Sequence, residues 1–171
     1  FKDIRPDLRA ISLYLKLKDR KDDTLLLGIV SELEKEGMKV EEPTRYVPHL
    51  LAEKGVITKR KPKKVELMDI EFGWPIAKEM GRLDIGQTVV VKERAVLAVE
   101  AIEGTDAAIR RAGELGRGGI VVIKVAKPKQ DMRFDAPVIG LNTIRTLKEA
   151  KAAVLCVEAG KTILLEKEDM I

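Results

Sequence analysis

The sequence predicts an α/β fold, with a layered α/β domain and a mixed sheet in the C-terminal part. Three short apolar runs, residues 88–92, 95–100 and 120–125, have the length and composition of β-strands. Residues 105–115 lie between two of these runs and carry apolar residues on one helical stripe. Because strands alternate with helices, and because Glu93-Arg94 is short enough to close a hairpin, we expect mixed strand directions.

The elements before this sheet are predicted to be mainly helical. Residues 8–14 and 24–36 have the apolar spacing of helices, and Gly37 is a typical helix end. Residues 38–40 are a candidate for a short strand. Two prolines and a turn of helix that ends at Lys54 are expected after it.

A run of basic residues around a proline, residues 59–64, divides the chain. We interpret residues 59–66 as a basic linker between an N-terminal region, 1–58, and a C-terminal α/β domain, 67–171. Taken alone, the run would also suit nucleic acid or anionic lipid head groups, so a binding surface is the alternative.

Helical and strand patterns alternate through the rest of the chain. Residues 69–80 predict a helix that Pro75 interrupts or starts and that Gly81 ends. The remaining predicted elements are a helix at 143–151 and strands at 153–157 and 162–165.

The loop after the strand at 120–125 is the most informative segment. It is rich in lysine, arginine and aspartate, and Pro128 and Pro137 prevent it from continuing as a helix or an interior strand. Asp131 and Asp135 lie among these cations, an arrangement that suits a divalent metal holding a phosphorylated ligand. Ligands of such sheets sit at the carboxyl ends of strands, where this loop is expected. A solvated charged loop is the alternative.

A second candidate site for an anion is the start of the helix that follows Gly104. Thr105 or Asp106 is the expected N-cap of this helix. The unpaired N–H groups of a helix N-terminus bind phosphate, although the same residues also suit a purely structural cap. Gln87, at the start of a strand, adds an amide.

Four segments, residues 1–7, 84–87, 100–106 and 127–135, together resemble one family. It is the metal-dependent UDP-2,3-diacylglucosamine diphosphatase family of lipid A biosynthesis, the LpxI type, which is unrelated to calcineurin-like phosphoesterases. The similarity covers essentially the whole chain, in the same order. It implies a phosphoanhydride hydrolase that uses Mg²⁺ to cleave UDP-2,3-diacylglucosamine into 2,3-diacylglucosamine 1-phosphate (lipid X) and UMP.

The resemblance also implies two domains, of which the first is Rossmann-like. Residues 1–58 would then be the tail of that N-terminal domain, and residues 67–171 the catalytic domain. We therefore expect the chain to be a fragment that lacks most of the N-terminal domain and has little or no activity, because the absent part would supply one wall of the enclosure for the acyl chains.

Asp135 is the first choice for the essential catalytic carboxylate, because Phe134 and Pro137 would hold its backbone. Asp131 is the second, either as a co-ligand or as the base that orients the attacking water. The expected Mg²⁺ ligands are Asp135, Asp131, Glu103 and Asp106. Mg²⁺ usually takes only one or two protein carboxylates and keeps several waters. A structural salt bridge to Arg133 or a lysine is the alternative for both aspartates.

Six polar side chains are expected to contact the substrate phosphates: Lys124, Lys127, Arg133, Gln130, Thr105 and Gln87. The cations among them would offset the charge that builds on the phosphoryl oxygens in the transition state. His49, the only histidine, lies away from these polar clusters and is not expected to act as a base. Trp74 either lines an acyl or uracil pocket or packs between a helix and the sheet.

Composition narrows the class of protein. Hydrophobic residues make up 45% and charged residues 35% of the chain, as in soluble globular proteins. No apolar run approaches the ~20 residues of a membrane span. The single cysteine, Cys156, cannot form an internal disulfide and is expected to be a buried core thiol. These observations predict a cytoplasmic protein, with peripheral contact at the inner membrane surface and oligomerisation left open.

The net charge of +4 favours anionic partners. The alternative function is a non-catalytic basic α/β module that binds nucleic acid or another anionic ligand. Aromatic residues make up only 4% of the chain, which counts against single-stranded nucleic acid because that ligand needs stacking platforms. We therefore expect no nucleic acid partner.

Overall fold

The computed structural model describes residues 6–17, 22–128 and 130–171. Within these ranges no helix is long and apolar enough to cross a membrane. The helices are α1 (Leu8–Lys16), α2 (Asp22–Lys35), α3 (Lys64–Arg82), α4 (Thr105–Gly116), α5 (Leu141–Glu149) and α6 (Lys167–Met170). The strands are β1 (Thr88–Lys92), β2 (Ala95–Val99), β3 (Val121–Lys124), β4 (Val138–Ile139), β5 (Val154–Val157) and β6 (Ile163–Leu164).

Four of the strands form a mixed sheet in the order β2-β1-β3-β5. Strand β1 is antiparallel to β2 and β3, whereas β5 is parallel to β3. Glu93 and Arg94, between β1 and β2, have φ angles of 51° and 57°, as a two-residue type I′ turn requires. Asp69 holds this turn, since its carboxylate accepts hydrogen bonds from both backbone N–H groups. The predicted α/β class and the hairpin are confirmed.

Helices cover both faces of this sheet. Helix α3 packs on one face, where Val89 shares a buried cluster with Ala77. Helices α4 and α5 pack on the other face, where Val90 and Val122 share a cluster with Ile109. Alternate strand residues therefore point to opposite helical layers, and the apolar residues of the central strands are fully buried. The domain is a three-layer α/β/α arrangement.

Helix α3 is longer than the predicted segment 69–80. Its start is explained by Glu66, whose carboxylate accepts a hydrogen bond from the backbone N–H of Lys63 at 2.6 Å. Pro75 neither interrupts nor starts the helix, so that prediction was wrong. Because Pro75 is exposed, the backbone carbonyl that loses its N–H partner can face water.

The short elements before α3 and the last strand also differ from the prediction. Residues 38–40 follow Gly37, which has a φ of 82°, and they pair with no strand in the described part of the chain, so the predicted strand was wrong. The expected turn of helix near Lys54 occurs earlier, as the 3-10 turns Pro43–Arg45 and Pro48–Leu50. The last strand, β6, is shorter than predicted and pairs in parallel with β4, outside the main sheet.

The antiparallel orientation of β1 brings several strand ends together. Thr88, at the start of β1, pairs with Lys124, at the end of β3, and Lys124 pairs with Val157, at the end of β5. Glu100, which follows β2, donates its N–H to the Thr88 carbonyl at 2.9 Å. Gly104, with a φ of 81°, then turns the chain into α4. The polar residues beside these ends therefore meet at one end of the sheet.

Candidate functional site

A buried lysine lies at this end of the sheet. Lys124 is only 7% exposed, and its ammonium donates hydrogen bonds to the Thr105 hydroxyl at 3.0 Å and to the Val138 carbonyl at 3.4 Å. Burial lowers the pKa of Lys124, and the nearby carboxylates of Glu100, Asp106 and Asp135 oppose that shift. The structure thus brings Lys124 and Thr105, two residues expected to bind phosphate, into direct contact.

Glu100 is a member of this cluster that the sequence did not assign to the site. Its carboxylate accepts a hydrogen bond from the Thr105 hydroxyl at 2.8 Å and one from the Gln87 backbone N–H at 3.3 Å. Glu100 is 8% exposed, so the charge lies inside the protein. The sequence feature that could have identified Glu100 as a site residue is its position at the end of a predicted strand, since ligands of such sheets bind at strand ends.

The expected N-cap of α4 was wrong. Gly104 is the N-cap, and Thr105 is the first residue of the helix. The Thr105 hydroxyl therefore does not cap the helix but bridges Lys124 and Glu100. The N–H groups of the first turn of this 12-residue helix remain at the same end of the sheet as the lysine.

Several buried oxygens around this cluster have no hydrogen-bond partner in the described ranges. They are the Gln87 Oε1, Thr88 Oγ1 and Asp106 Oδ1 atoms. Thr88 pairs with Lys124 across the strands, and Asp106 lies near enough to influence its pKa. A buried polar atom without a partner costs about 1–3 kcal/mol, and such atoms commonly mark positions that water or a ligand satisfies.

The loop that follows β3 folds back towards this cluster. The Lys127 N–H donates to the Gln130 side-chain oxygen at 2.8 Å, and the Gln130 side-chain nitrogen donates to the Asp135 carboxylate at 2.9 Å. The Asp135 N–H in turn donates to the Asp131 carbonyl at 2.9 Å. These bonds hold Asp135 in the electrostatic neighbourhood of Lys124.

Asp131 has a different environment from Asp135. The Arg133 guanidinium binds its carboxylate at 2.7 Å and lowers the pKa of Asp131, and Arg133 also pairs with Glu34 of α2 at 2.9 Å. This is the salt bridge to Arg133 that the sequence left open as an alternative. Lys127 likewise pairs with Asp84, at 2.9 Å.

The four carboxylates expected to bind Mg²⁺ fall into two groups. The carboxylates of Asp106 and Asp135 both raise the pKa of Lys124. Glu103 is instead paired with Arg111 at 2.6 Å, and Asp131 is paired with Arg133. Within the part of the chain that the structure describes, no three His, Cys, Asp or Glu side chains come together as a metal cluster. Two carboxylates still fit Mg²⁺, which fills its other positions with water and phosphate oxygens. The buried Asp106 oxygen without a partner is the observation that favours this pair.

A groove of about 670 Å³ lies between residues 52–62 and β5. Trp74 of α3 lines it and also packs with Val154 and Cys156 against the sheet, which is the predicted packing role, while its role in an acyl or uracil pocket stays a prediction. Cys156 is half-buried rather than fully buried, and burial raises the pKa of its thiol.

His49, which was not expected to act as a base, and the basic run at residues 59–64 both lie away from the cluster. His49 is exposed in a 3-10 turn. In the basic run, Arg60 pairs with Glu66 and donates to the Ala153 carbonyl at 3.1 Å, which ties the run to the C-terminal domain. Residues 1–5, part of the first segment that carries the resemblance, lie outside the described residues.

Comparison with protein families agrees with the resemblance. Residues 1–50 match the LpxI N-terminal domain, and residues 53–171 match the LpxI C-terminal domain. The chain belongs to the LpxI family. The two matches meet a few residues before the predicted basic linker at 59–66, whose bounds stay a prediction.

A curated member of the LpxI family gives the same picture. The UDP-2,3-diacylglucosamine pyrophosphatase LpxI of Caulobacter vibrioides is 38% identical to this chain over 182 aligned residues. The alignment covers 100% of this chain and 65% of the relative, so the chain spans less than two thirds of that relative's length.

Proposed function

We propose that the protein is a UDP-2,3-diacylglucosamine pyrophosphatase of lipid A biosynthesis. It hydrolyses the phosphoanhydride with Mg²⁺ and yields 2,3-diacylglucosamine 1-phosphate and UMP. Family membership and the printed activity of the Caulobacter relative support the proposal. The observation that carries it is the buried Lys124 ammonium at the end of the sheet where, among the described residues, buried oxygens of Thr88 and Asp106 have no hydrogen-bond partner.

Phosphate binding is the first task of this arrangement. A buried ammonium attracts a phosphate more strongly than an exposed one, because little water screens the interaction. The Thr105 hydroxyl is already oriented by Glu100, and the first N–H groups of α4 offer further donors at the same end of the sheet. Thr88 Oγ1, a hydroxyl without a partner in the described ranges, can donate to a phosphate oxygen.

Asp106 and Asp135 are the carboxylates that would hold Mg²⁺ beside these phosphates. When bound, the ion supplies Lewis-acid polarisation of a phosphoryl oxygen. Asp135 would also accept a proton from the attacking water, and Gln130 fixes the direction of its carboxylate. Arg133 and Asp131 hold the loop to α2 through Glu34, which makes their role one of positioning.

We also propose that the protein works in the cytoplasm with peripheral contact at the inner membrane surface. The proposed substrate carries two acyl chains, and the net charge of +4 favours an anionic surface.

Product analysis with a defined diacylated substrate tests the proposed function. The Caulobacter enzyme serves as the positive control in the same assay. We expect slow release of UMP and the lipid monophosphate in the presence of Mg²⁺, in line with the little activity expected from the sequence, and loss of this release in saturating EDTA. Activity that survives saturating EDTA would exclude the metal mechanism. Absence of UMP release, while the Caulobacter enzyme turns over, would contradict the activity.

A further inference from the structure

Helix α3 begins with a group of exposed lysines that the proposed chemistry does not use. Residues 54–65 contain six lysine or arginine side chains and no aspartate or glutamate. The whole chain has a net charge of +4, so the remainder of the chain is net negative. The net positive charge of the protein is therefore concentrated in this one segment.

Arg60 fixes the basic run against the C-terminal domain. Its guanidinium donates to the Ala153 carbonyl at 3.1 Å and pairs with Glu66, which is buried. Three lysines of the run are exposed and form no salt bridge within the described ranges: Lys59, Lys61 and Lys64. The anchor at Arg60 therefore presents these lysines to solvent on a fixed backbone.

Exposed apolar side chains continue this surface along α3. Val65 is 63% exposed, Phe72 is 37% exposed, and Met68 between them is partly exposed. Spacings of three and seven residues place these three side chains on the same side of a helix. A different side of α3, which includes Gly73 and Ala77, packs on the sheet. Within the described chain, none of the three belongs to a buried hydrophobic cluster, so this stripe contributes little to the core.

An anionic lipid bilayer fits both the lysines and the apolar stripe. Each lysine near an anionic membrane surface contributes about fivefold to binding. Segments that combine lysines with exposed apolar side chains lie in the membrane interface, with the apolar side chains at the boundary of the acyl layer. Nucleic acid would pair with the lysines, but it binds proteins by stacking on aromatic rings, and Phe72 is the only aromatic residue of this surface.

We propose that Lys59, Lys61, Lys64 and the α3 stripe form a docking surface for an anionic lipid bilayer. The inference rests on the proposed function, which includes peripheral contact with the inner membrane, and it assigns residues to that contact. The proposed substrate carries two acyl chains, so docking brings the protein to the layer that holds such a lipid.

Sedimentation with vesicles measures this docking on the chain as it is. The probe is vesicles of phosphatidylcholine that contain phosphatidylglycerol, and vesicles of phosphatidylcholine alone are the control. We expect binding to the anionic vesicles that weakens as the salt concentration rises, because salt screens exposed charges. We expect no binding to the neutral vesicles. Equal binding to both kinds of vesicle, or binding to neither, would overturn the proposal.

Two pairs of lysines provide matched variants. Lys61→Gln with Lys64→Gln should weaken binding to the anionic vesicles about thirtyfold, since it removes two lysines from the docking surface. Lys148→Gln with Lys151→Gln causes the same change in net charge. These two exposed lysines lie at the end of α5, which packs on the face of the sheet opposite to α3. Equal losses in the two double variants would show that net charge alone governs binding and would overturn the proposal.

The apolar stripe is tested by two positions of equal exposure. Val65 of α3 and Leu115 of α4 are each 63% exposed, and α4 packs on the opposite face of the sheet. Val65→Ser should weaken vesicle binding at least about threefold, whereas Leu115→Ser should leave it unchanged. Equal binding by the two variants, with urea denaturation to show that each is folded, would overturn the assignment of the stripe to the membrane. If light scattering shows that Val65→Ser turns a dimer into a monomer while vesicle binding is unchanged, the stripe is a subunit contact and the proposal fails.

Hydrolysis of the substrate in detergent separates this inference from the proposed function, because a detergent micelle presents the substrate without an anionic bilayer. Hydrolysis in detergent without vesicle binding would support the activity and contradict the docking surface. Vesicle binding that the variant Lys61→Gln with Lys64→Gln loses, without hydrolysis by the parent, would support the docking surface and contradict the activity. Binding of a DNA or RNA duplex that the same variant loses, without vesicle binding, would assign the surface to nucleic acid and overturn the proposal.

Discussion

At the scale of single residues, side chains of the same type have different partners and different environments in the site. Asp131 is neutralised by Arg133, which binds its carboxylate at 2.7 Å. Asp135 is held by the Gln130 amide and faces the buried Lys124 ammonium. The two aspartates are four residues apart in sequence, yet only Asp135 belongs to the polar cluster. We infer that Asp135 acts in catalysis and that Asp131 positions the loop.

We predict that Asp135→Ala remains folded but loses catalytic activity. Removal of a group that orients water or holds the metal costs roughly 10²–10⁴ in rate. Asp131→Ala is the matched comparison from the same loop and should cost less, because it removes a salt bridge rather than a group beside the phosphates. The measurement is kcat for both variants, with circular dichroism to show that each is folded.

The opposite ranking of these two variants would move the chemistry to Asp131. If a folded Asp135→Ala protein were within about tenfold of the parent, Glu103 and Asp106 would become the next carboxylates to replace.

At the scale of elements, the site is assembled where β1 begins and β2 ends. Gly86 lies directly against this junction, because a Cβ atom built on it would stand 2.0 Å from the Glu100 carbonyl oxygen. The segment that leads into β1 can therefore approach Glu100 only with a glycine at this position. This close approach allows the Gln87 N–H to reach the Glu100 carboxylate.

Gly86→Ala should lower the free energy of unfolding by about 1–3 kcal/mol, the usual cost of forcing extra volume into a packed site. Gly81→Ala is the control from the neighbouring α3, where the added Cβ would meet its nearest atom, the Lys127 Cα, at 3.4 Å. The control should leave stability unchanged or raise it by up to about 1 kcal/mol, since alanine favours the helix. Urea denaturation measures both, and equal effects would show that the approach to Glu100 is not tight.

At the scale of the whole molecule, the buried ammonium makes stability depend on pH. Burial lowers the pKa of Lys124 below its ordinary value of 10.5. Between the folded pKa and 10.5, the unfolded chain binds more protons at this position than the native protein does. Stability from this group therefore rises with pH through that window and is lost as the pH falls through the folded pKa.

Lys124→Met should remove this alkaline gain. The difference in the free energy of unfolding between parent and variant is expected to shift in favour of the parent as the pH rises from about 7 to about 10. The comparison cancels other groups that titrate there, among them Cys156, whose pKa burial raises. Urea denaturation across this range gives the difference directly. A difference that stays constant with pH would mean that Lys124 titrates as a solvated lysine does.

Much of this architecture could be predicted from local patterns. The short, continuous apolar runs of β1 and β3 predicted strands, because both faces of a central strand are buried. Lys124 and Thr105 were both expected to contact the substrate phosphates, and the structure places the Lys124 Nζ 3.0 Å from the Thr105 Oγ1. The place of Glu100 did not follow, because its contacts depend on the pairing of β1 with β2 in one register.

By itself, the sequence determined the α/β class, the hairpin, the polar loop after β3 and the resemblance to the family, because these depend on residues close together in the chain. Only the tertiary structure decided which charges are buried and which are paired. Lys124 becomes a buried cation because α4 and strand β4 close over it, and Asp131 is neutralised because Arg133 folds back on it. The groove beside β5 likewise exists only because residues 52–62 lie alongside β5, an outer strand that comes about a hundred positions later in the chain. Burial and pairing are properties of segments distant in sequence, and local patterns carry no information about which of those segments meet.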